Sequence, residues 1–400
     1  MSGMNRRTLL VLASTYPTNA GDGVPAFVRD LATVEAEAFD TAVVVPAVPN
    51  GRTSETDGAL RVARFRFFFR RWEDVADGAI LENLRSKRSR WLQVPPFFLA
   101  ELIAVRKAVR RRRPDVMHVH WLIPQGLVAL IAAPRTPKLV TTLGGDLYGL
   151  TDPISRRLIR AVLRNAAATT TMNSDMRERL VELGADPATT HVLPMGADLD
   201  AIRPIAAAVT REPGRILFVG RLVEKKGVTH LLEAFRQLDR SGLELRIVGD
   251  GPLREQLEAD ASGLPVTFLG SLGRQDLARE YGAAAVVVFP SVPAASGDQD
   301  GLPVALLEAM GAGAVIVASR LPGLADAVVD GRCGILVTPG SPAEIAQALR
   351  SLLSDDSLRG RFSAAAAERA EEFSVRSIGK RYVELLQSIA SPAETAGTSR

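Results

Sequence analysis

Short apolar runs without polar interruptions are the feature that most constrains how this chain can fold. Because the runs are continuous rather than alternating, they predict strands buried on both faces, as in parallel sheets covered by helices. Amphipathic stretches separate most of them, and repeated strand–helix units predict right-handed crossovers. We therefore expect an α/β fold with strands near residues 8–14, 41–48, 115–120, 138–144, 169–174, 191–196, 215–220, 243–251, 265–270, 283–291, 314–320 and 334–340.

The runs fall into two groups, which predicts two domains in a chain of 400 residues. We place a first doubly wound, Rossmann-like domain at residues 1–198 and a second at residues 215–373. Ligands of such sheets bind beyond the carboxyl ends of the strands. The predicted site is therefore a cleft across which the two domains face each other.

Three segments do not follow this pattern. Residues 199–214 are polar, rich in Pro and Ala, and lack a strand pattern, so we predict an interdomain linker there. Residues 374–390 are predicted to form a C-terminal helix that packs back on the first domain. Residues 391–400 have no apolar anchor, and we expect them to form a disordered tail.

Composition argues against several classes of protein. No apolar run approaches the roughly 18 residues of a membrane-spanning helix. Arg6 and Arg7 precede a short apolar run, but Tyr16 and Pro17 follow where a signal peptide needs small residues. The single cysteine, Cys333, excludes an intrachain disulfide and is expected to be structural. These features predict a cytoplasmic protein.

The strongest chemical motif is DGLPVALLEAM at residues 300–310. Gly301 lets the loop backbone approach a ligand closely, and Pro303 suits the first turn of a helix. The free N–H groups of that helix would face the cleft and favour oxygen-rich or anionic groups. Asp300 and Glu308 can then meet one ligand at two points, and Glu308 needs a partner because it lies in an otherwise apolar helix.

A second motif is GRLVEKKG at residues 220–227, where a strand ends and a helix begins. Arg221 and Lys226 lie in that loop, at the carboxyl edge of the predicted sheet. Two cations beside a helix N-terminus suit a diphosphate, and they would stabilise the charge of a leaving group.

These two motifs, with LRIVGDGPL at residues 245–253 between them, resemble the retaining family-4 glycosyltransferases of GT-B fold. The order and spacing match over residues 215–340, and weaker matches extend over nearly the whole chain. The resemblance implies transfer of a sugar from a nucleoside-diphosphate sugar, with retention of configuration. It also implies a glycan, lipid-linked or small-molecule acceptor and the need for neither metal nor cofactor.

The resemblance also implies roles for single residues. Arg221 and Lys226 match the pair that holds the donor diphosphate, and Glu308 matches the acid that binds the ribose hydroxyls. Asp300 falls where the family usually has Glu, near the transferred sugar, and is one methylene shorter. The backbone positions that it places at the donor are Gly21, Gly23, Gly220, Gly249, Gly301, Leu302 and Pro303.

On the acceptor or sugar side, the resemblance implies His120, Gly144 and Asp146. Leu143 occupies the position where the family usually has a His that touches the donor sugar, and an apolar group cannot make that hydrogen bond. His118 and His120 share one face of a predicted strand, which invites a metal site. We reject the metal because no Cys, Asp or Glu cluster accompanies the pair.

Basic charge is concentrated in residues 61–113, which hold 15 Lys/Arg and 5 Asp/Glu although the whole chain carries only +4. Aromatic residues alternate with the arginines there. Three interpretations stay open: a solvated basic face with some core aromatics, seating on the inner, anionic face of a membrane, or nucleic-acid binding. Nucleic acid is the least favoured because no nucleic-acid module is recognisable.

Two other functions remain open at this point. A nucleotide-sugar epimerase or hydrolase of the same fold would consume the donor without an acceptor. A non-catalytic sugar-nucleotide-binding protein would bind the donor without turnover, and Leu143 and Asp300 are the departures that favour it.

Overall fold

The structure, a computed structural model, describes residues 6–18, 24, 26–48, 51–76, 80, 83–84, 87–295 and 297–390. Two sheets, of eight and six strands, form the centres of two α/β domains. Every predicted run within the described residues contains a strand, so the predicted fold class is confirmed. None of the helices described is long and apolar enough to cross a membrane.

The sheet of the first domain has the strand order β3-β4-β2-β1-β5-β6-β7-β8. All neighbours are parallel except β3 and β4, which form an antiparallel edge that the sequence did not predict. β3 is polar at every position and arginines interrupt the apolar residues of β4, so neither has a continuous apolar run. The strands are β1 (Thr8–Leu12), β2 (Asp40–Pro46), β3 (Ser54–Asp57), β4 (Leu60–Phe65), β5 (Val116–His120), β6 (Lys138–Thr141), β7 (Ala168–Thr171) and β8 (Thr190–Val192).

Helices cover this first sheet in two groups. One group contains α2, α3 and α5, each packed on the next, while α1 packs against the last helix of the chain. A 3-10 turn at Arg88–Gln93 leads into α2, and a π turn at Leu122–Gly126 leads into α3. The helices are α1 (Phe27–Ala38), α2 (Val94–Arg112), α3 (Leu127–Ala132), α4 (Gly145–Tyr148), α5 (Pro153–Asn165) and α6 (Ser174–Glu182).

Residues 199–214, predicted to be an interdomain linker, form helix α7 (Leu199–Ala207) and the start of strand β9 at Glu212. The side chain of Asp198 caps the helix by accepting from the amide of Ala201. Leu199, Ile202 and Ala206 are buried at helical spacing. This short apolar stripe gives the predicted linker a helical segment that its Pro and Ala content did not indicate.

The second sheet is entirely parallel, with the order β11-β10-β9-β12-β13-β14. Its strands are β9 (Glu212–Val219), β10 (Glu244–Val248), β11 (Val266–Gly270), β12 (Ala284–Phe289), β13 (Val315–Ser319) and β14 (Gly334–Val337). Its helices are α8 (Val228–Arg236), α9 (Arg254–Asp260), α10 (Arg274–Ala283), α11 (Val304–Gly311), α12 (Pro322–Ala327), α13 (Pro342–Ser354) and α14 (Asp356–Ala370). Short 3-10 turns lie at Glu224–Lys226 and Glu371–Phe373.

The chain ends, among the described residues, with helix α15 (Val375–Ala390), which packs on α1 of the first domain. The hydroxyl of Tyr382 donates to the carbonyl of Leu193 at 2.7 Å. The two crossings between the domains lie side by side, because the amide of Val375 donates to the carbonyl of Ala197 at 2.7 Å. The predicted tail, residues 391–400, lies outside the described residues.

Candidate active site between the two domains

The loops that follow β9 and β12 meet at the carboxyl edge of the second sheet. The amide of Val292, after β12, donates to the carbonyl of Lys225, after β9, at 2.9 Å. The half-buried Arg221 and Lys226 lie in the β9 loop, as their motif predicted. The Lys226 stem runs beside Gly220, where a Cβ atom would lie 3.5 Å from Lys226 Cδ.

Asp300 is the centre of a buried group of charges at this edge. Its Oδ2 atom accepts from Lys226 Nζ at 2.8 Å and from the Ser291 hydroxyl at 2.7 Å. Lys225 Nζ lies 4.0 Å from Oδ1 and 3.1 Å from the carboxylate of Asp298. Burial by itself would raise the pKa of Asp300, but the two lysines and the hydrogen bonds lower it below its usual range. Asp300 is therefore held as a carboxylate beside its lysines.

Gly249, predicted to lie at the donor, has a steric role that the structure makes clear. Its φ of +127° is a conformation that residues with side chains rarely adopt. A Cβ atom there would lie 2.0 Å from the carbonyl oxygen of Gly220. The loop after β10 can therefore approach the β9 loop only with a glycine at this position.

The loop that begins α11 touches the first domain directly. The carbonyl of Gly301 accepts from the side-chain Nδ2 of Asn173 at 2.9 Å, and Gln299 Nε2 lies 3.4 Å from Asp175 Oδ2. A Cβ atom on Gly144 would be 3.6 Å from both Gln299 O and Gly301 N. The predicted residues of the two domains, Gly144 and Gly301, therefore face each other across the cleft.

Glu308 lies on α11, as predicted, and has partners that the sequence did not show. The hydroxyl of the fully buried Tyr281 donates to Glu308 Oε2 at 3.2 Å. Loss of hydration raises the pKa of Glu308 to about 7, although the charge of Arg274 and the Tyr281 hydrogen bond act in the opposite direction. Glu308 can thus change charge near neutral pH.

Arg274, at the first residue of α10, links the two domains next to Glu308. Its Nη1 atom donates to Asp198 Oδ2 at 2.8 Å, and its Nη2 atom pairs with Asp30 on α1 of the first domain. Burial raises the pKa of Asp30 to about 6 despite the nearby Arg274 charge. No motif singled out Arg274, Asp30 or Tyr281, because each is an unremarkable residue of an amphipathic helix in the sequence.

Asp146, predicted on the acceptor or sugar side, turns its side chain toward groups of its own domain. Its Oδ2 atom accepts from the amide of Leu122 at 2.6 Å, and its Oδ1 atom accepts from the Thr142 hydroxyl at 2.7 Å and the Leu143 amide at 3.3 Å. Burial raises its pKa, although these hydrogen bonds oppose the shift. Both oxygens therefore bind the first domain's own loops, and Asp146 shapes the loop that carries Leu143 and Gly144.

His118 and His120 are both fully buried side by side, with ring centroids 4.1 Å apart. His118 contacts Glu35 Oε1 at 2.6 Å and Thr141 Oγ1 at 2.8 Å, which makes it part of the core. His120 has no hydrogen-bond partner on either ring nitrogen. Burial lowers the pKa of His118 to about 3 and that of His120 well below its usual value, so both rings are neutral.

The described residues contain no group of three or more His, Cys, Asp or Glu side chains placed to hold a metal ion. Cys333 is buried as a free thiol beside the backbone of Val329. Leu302 is also buried, so only its backbone can face a ligand. The predicted donor positions Gly21 and Gly23 lie outside the described residues.

Family models match both halves of the chain. One, described as "Glycosyl transferase 4-like domain", matches residues 22–196, and one described as "Glycosyl transferases group 1" matches residues 213–355. A D-inositol 3-phosphate glycosyltransferase from Corynebacterium urealyticum is 31% identical over 320 residues, covering 72% of this chain and 74% of the relative. The chain belongs to the group 1 glycosyltransferases.

A glycogen synthase from Mycobacterium tuberculosis is 31% identical to this glycosyltransferase over 276 residues, covering 65% of each chain. The chain thus spans about two thirds of that relative's length. Solved structures resemble it over more of its length. Sucrose-phosphate synthase from Thermosynechococcus elongatus superposes with a TM-score of 0.77 at 20% identity, covering 96% of this chain and 99% of the other.

Anabaena HepE in complex with UDP-glucose superposes with a TM-score of 0.69 at 19% identity, covering 95% and 99% of the two chains. At these identities the likeness concerns the fold, and it confirms the predicted GT-B arrangement of two doubly wound domains. The family that the motifs of this glycosyltransferase indicated is confirmed as well.

Proposed function

We propose that this glycosyltransferase transfers a sugar from a nucleoside-diphosphate sugar to a glycan, lipid-linked or small-molecule acceptor, with retention of configuration and without a metal ion. The observation that carries the proposal is the buried charge group of Lys226, Lys225 and Asp300, placed where the β9 and β12 loops meet. The HepE neighbour with UDP-glucose and the glycosyltransferase relatives support a nucleotide-sugar donor.

Lys226 and Arg221 would hold the donor diphosphate, with the first backbone N–H groups of α11 close by. A lysine already fixed by Asp300 at 2.8 Å needs little rearrangement when charge develops on the leaving diphosphate. Fixed cations of this kind supply the charge stabilisation that a metal ion gives in other transferases. Glu308, held by Tyr281, would accept hydrogen bonds from the ribose hydroxyls.

Retention requires that the acceptor attack from the face that the diphosphate leaves. The bond between the anomeric carbon and the diphosphate oxygen breaks, the acceptor oxygen bonds on the same face, and its proton passes to the leaving diphosphate. No dedicated base is then needed. This fits the described carboxylates of the cleft, because Asp300 is paired with Lys226 and Asp146 is used within its own loops. The configuration of the product, observed by NMR, would contradict this route if it were inverted.

The acceptor would lie on the first-domain side, between Gly144 and His120. Leu143 replaces a hydrogen-bonding side chain with an apolar one, so the donor sugar would rely on other groups there. We also place residues 61–113 at the anionic surface of a membrane, on the cytoplasmic side, where a lipid-linked acceptor would be available.

A thermal-shift screen with UDP-, GDP- and ADP-sugars in the presence of EDTA tests the donor site. We expect one donor to raise the melting temperature of the wild type and of Lys380→Ala, an exposed lysine on α15. Lys226→Ala should abolish the shift. The ligand-induced shift is compared, rather than the melting temperature itself, because Lys226→Ala also removes the partner of Asp300.

Turnover of the stabilising donor with an added acceptor then separates transfer from binding alone. If no donor stabilises the wild type, or if Lys226→Ala retains the full shift, the proposed donor site is wrong.

A further inference from the structure

The structure divides the apolar residues of the basic stretch into two sets. Phe65, Phe67 and Phe97 are buried and pack edge to face, with centroids 4.9–6.4 Å apart. These three rings are the core aromatics that one interpretation of the basic stretch predicted. A second set is 58–72% exposed, and we call it the apolar patch: Phe69, Trp72, Trp91, Leu92, Leu99 and Ile103.

The two loops that carry the patch aromatics are fixed to one another. Gln93 Oε1 accepts from the amides of Asp74 and Val75, each at 3.2 Å, and Gln93 Nε2 donates to Asp74 Oδ1 at 2.8 Å. Arg90 Nη2 pairs with Asp74 Oδ2 at 2.8 Å. The loop with Phe69 and Trp72 is therefore held against the turn with Trp91 and Leu92. The exposed rings project from a hydrogen-bonded support.

The exposed face of helix α2 continues the patch with apolar residues in its first half and carries basic residues in its second half. Phe97, Glu101 and Val105 form its buried face. On the opposite face, Leu99 and Ile103 are followed at steps of three and four residues by Arg106, Lys107 and Arg110, all of them exposed, and Leu92 precedes the helix in the 3-10 turn. One face of a 19-residue helix thus combines exposed aliphatic side chains with cations.

Acidic residues are nearly absent from this part of the domain. Residues 87–145 contain eleven Lys/Arg and two Asp/Glu. Of the two acids, Glu101 is fully buried, and the Asp115 side chain accepts from the amide of Thr8 at 2.7 Å. Arg90 is paired with Asp74, and Arg112 lies 3.5 Å from Asp40. The positive surface beside the patch is therefore carried mainly by the exposed Arg106, Lys107 and Arg110 of α2.

We propose that the apolar patch, together with the basic half of α2, is a docking surface for an anionic phospholipid bilayer. Trp and Phe side chains enter the interfacial region of a bilayer, and Arg and Lys side chains meet its phosphates. Docking would bring a lipid-linked acceptor to the cleft. Only this purpose rests on the proposed function; membrane binding itself does not.

Other occupants fit these observations less well. Nucleic acid would use the arginines, but it offers no apolar surface to Leu92, Leu99 and Ile103. A second copy of the chain would bring two positive faces together, which like-charge repulsion opposes. An anionic bilayer provides an apolar interior for the exposed Trp, Phe and Leu side chains and phosphates for the neighbouring Arg and Lys side chains.

The topology places the patch on the cleft side of the domain. Strand β4 is parallel to β2 and β1, so the loop after Phe65 leaves from the carboxyl edge of the sheet. Helix α2 ends just before β5 begins, at the opposite edge, and its 19 residues span about 28 Å. Its apolar N-terminal half therefore lies toward the edge that carries the cleft, and its basic half lies away from it.

Sedimentation of the full chain with vesicles tests the docking surface without donor or acceptor. The vesicles are pure phosphatidylcholine and an equimolar mixture of phosphatidylcholine and phosphatidylglycerol. We expect the wild type to bind the mixed vesicles and not the neutral ones, and added salt to weaken binding. Trp72→Ser with Leu99→Ser, and separately Arg106→Gln with Lys107→Gln and Arg110→Gln, should each weaken binding by about tenfold or more.

Matched controls come from the second domain, where Val329 and Arg332 are exposed. Val329→Ser and Arg332→Gln should bind mixed vesicles like the wild type. The proposal is overturned if the wild type binds no vesicle, or if the controls lose as much binding as the patch variants. Binding of a DNA duplex in place of vesicles, or a dimer in light scattering that Trp72→Ser dissociates, would overturn it in favour of those occupants.

The donor-induced thermal shift, measured on the same patch variants, keeps the two proposals separate. We expect it to match the wild type, because the patch lies outside the donor site. If the wild type does not bind vesicles but keeps its donor-induced thermal shift, only the docking proposal is contradicted. If the wild type binds vesicles but no donor shifts its melting temperature, only the proposed donor site is contradicted.

Discussion

Arg274 of the second domain forms an ion pair with Asp30 of the first, and this pair connects the two halves of the cleft beside Glu308. The same guanidinium donates to Asp198 at 2.8 Å, so one cation serves two carboxylates. Burial nevertheless raises the pKa of Asp30 to about 6 and that of Glu308 to about 7. We therefore expect the interface between the domains to respond to pH close to neutrality.

We expect Asp30 to make the free energy of unfolding depend on pH. Its pKa in the folded protein is about 6, above the unfolded value of about 3.9, so the folded state binds more protons between these values. The corresponding stability is fully present below about pH 4 and is lost as the pH rises through 6. In urea denaturation, Asp30→Asn should reduce the change in the free energy of unfolding between pH 4 and pH 7 by about 2 kcal/mol.

The informative quantity is the slope of the free energy of unfolding against pH. The absolute stability of Asp30→Asn is less informative, because the substitution also breaks the Arg274 pair. Asp276→Asn, at an exposed acid on the same helix as Arg274, is the matched control and should keep the wild-type slope. An unchanged slope in Asp30→Asn would show that Asp30 is ionised throughout the range.

We expect donor binding to strengthen as the pH rises through about 7, because ionised Glu308 accepts hydrogen bonds from ribose hydroxyls better than the neutral acid. The Tyr281 hydroxyl lowers the pKa of Glu308 by donating to it at 3.2 Å. Tyr281→Phe should therefore move the midpoint of the affinity profile to higher pH. The measurement is the Kd of the nucleotide sugar that stabilises the wild type, by calorimetry at pH 6–8.5.

Tyr382→Phe is the matched control, since Tyr382 is equally buried but donates to the carbonyl of Leu193 in the first domain. It should keep the wild-type midpoint. A Kd that is flat across this range in the wild type would mean that Glu308 does not bind the donor through its charge.

Much of the fold followed from the sequence because parallel strands buried on both faces have a simple signature. The six runs of the second domain each contain a strand, and the charged motifs at 220–227 and 300–310 lie at the same sheet edge. Strand order alone brings Lys226 and Asp300 together. The antiparallel edge formed by β3 and β4 was missed because β3 is entirely polar and arginines interrupt the apolar residues of β4.

The remaining parts of the site depend on contacts between residues far apart in the chain. Nothing near Arg274 indicates that Asp30, 244 residues away, will become its partner. The motif position of Asp146 predicted the acceptor or sugar side but did not reveal that its side chain binds Leu122, Thr142 and Leu143. Residues 199–207 form a helix whose apolar stripe is covered by α10, a partner that local composition does not show.

Asp146→Asn should lower stability without removing donor binding. The carboxylate accepts from Leu122, Thr142 and Leu143 with both oxygens, and an amide can replace only one of these oxygens as an acceptor. We expect a loss of about 2 kcal/mol in urea denaturation. Asp152→Asn is the control, because Asp152 is an exposed helix cap and Asn caps helices as well as Asp does.

The donor-induced thermal shift of Asp146→Asn should remain close to that of the wild type. A variant of wild-type stability that binds the donor but transfers no sugar would instead return Asp146 to the sugar side of the cleft.

Gly249→Ala tests whether the close approach of the β10 loop to the β9 loop sets up the donor site. The new methyl group would lie 2.0 Å from the carbonyl oxygen of Gly220, so one of the two loops must move. Gly263→Ala is the control, because Gly263 also has a positive φ, +74°, but has open space around it. Gly263→Ala incurs backbone strain of about 1–2 kcal/mol in the left-handed region, and Gly249→Ala incurs at least as much at its φ of +127°.

Only Gly249→Ala adds the clash, and we expect it to be less stable than Gly263→Ala by about 3 kcal/mol in urea denaturation. Because the β9 loop carries Arg221 and Lys226, its displacement should also reduce the donor-induced thermal shift, which Gly263→Ala should leave intact. Equal stability of the two variants would mean that the loops separate easily. The position of the donor cations would then depend on Asp300 rather than on the contact between Gly249 and Gly220.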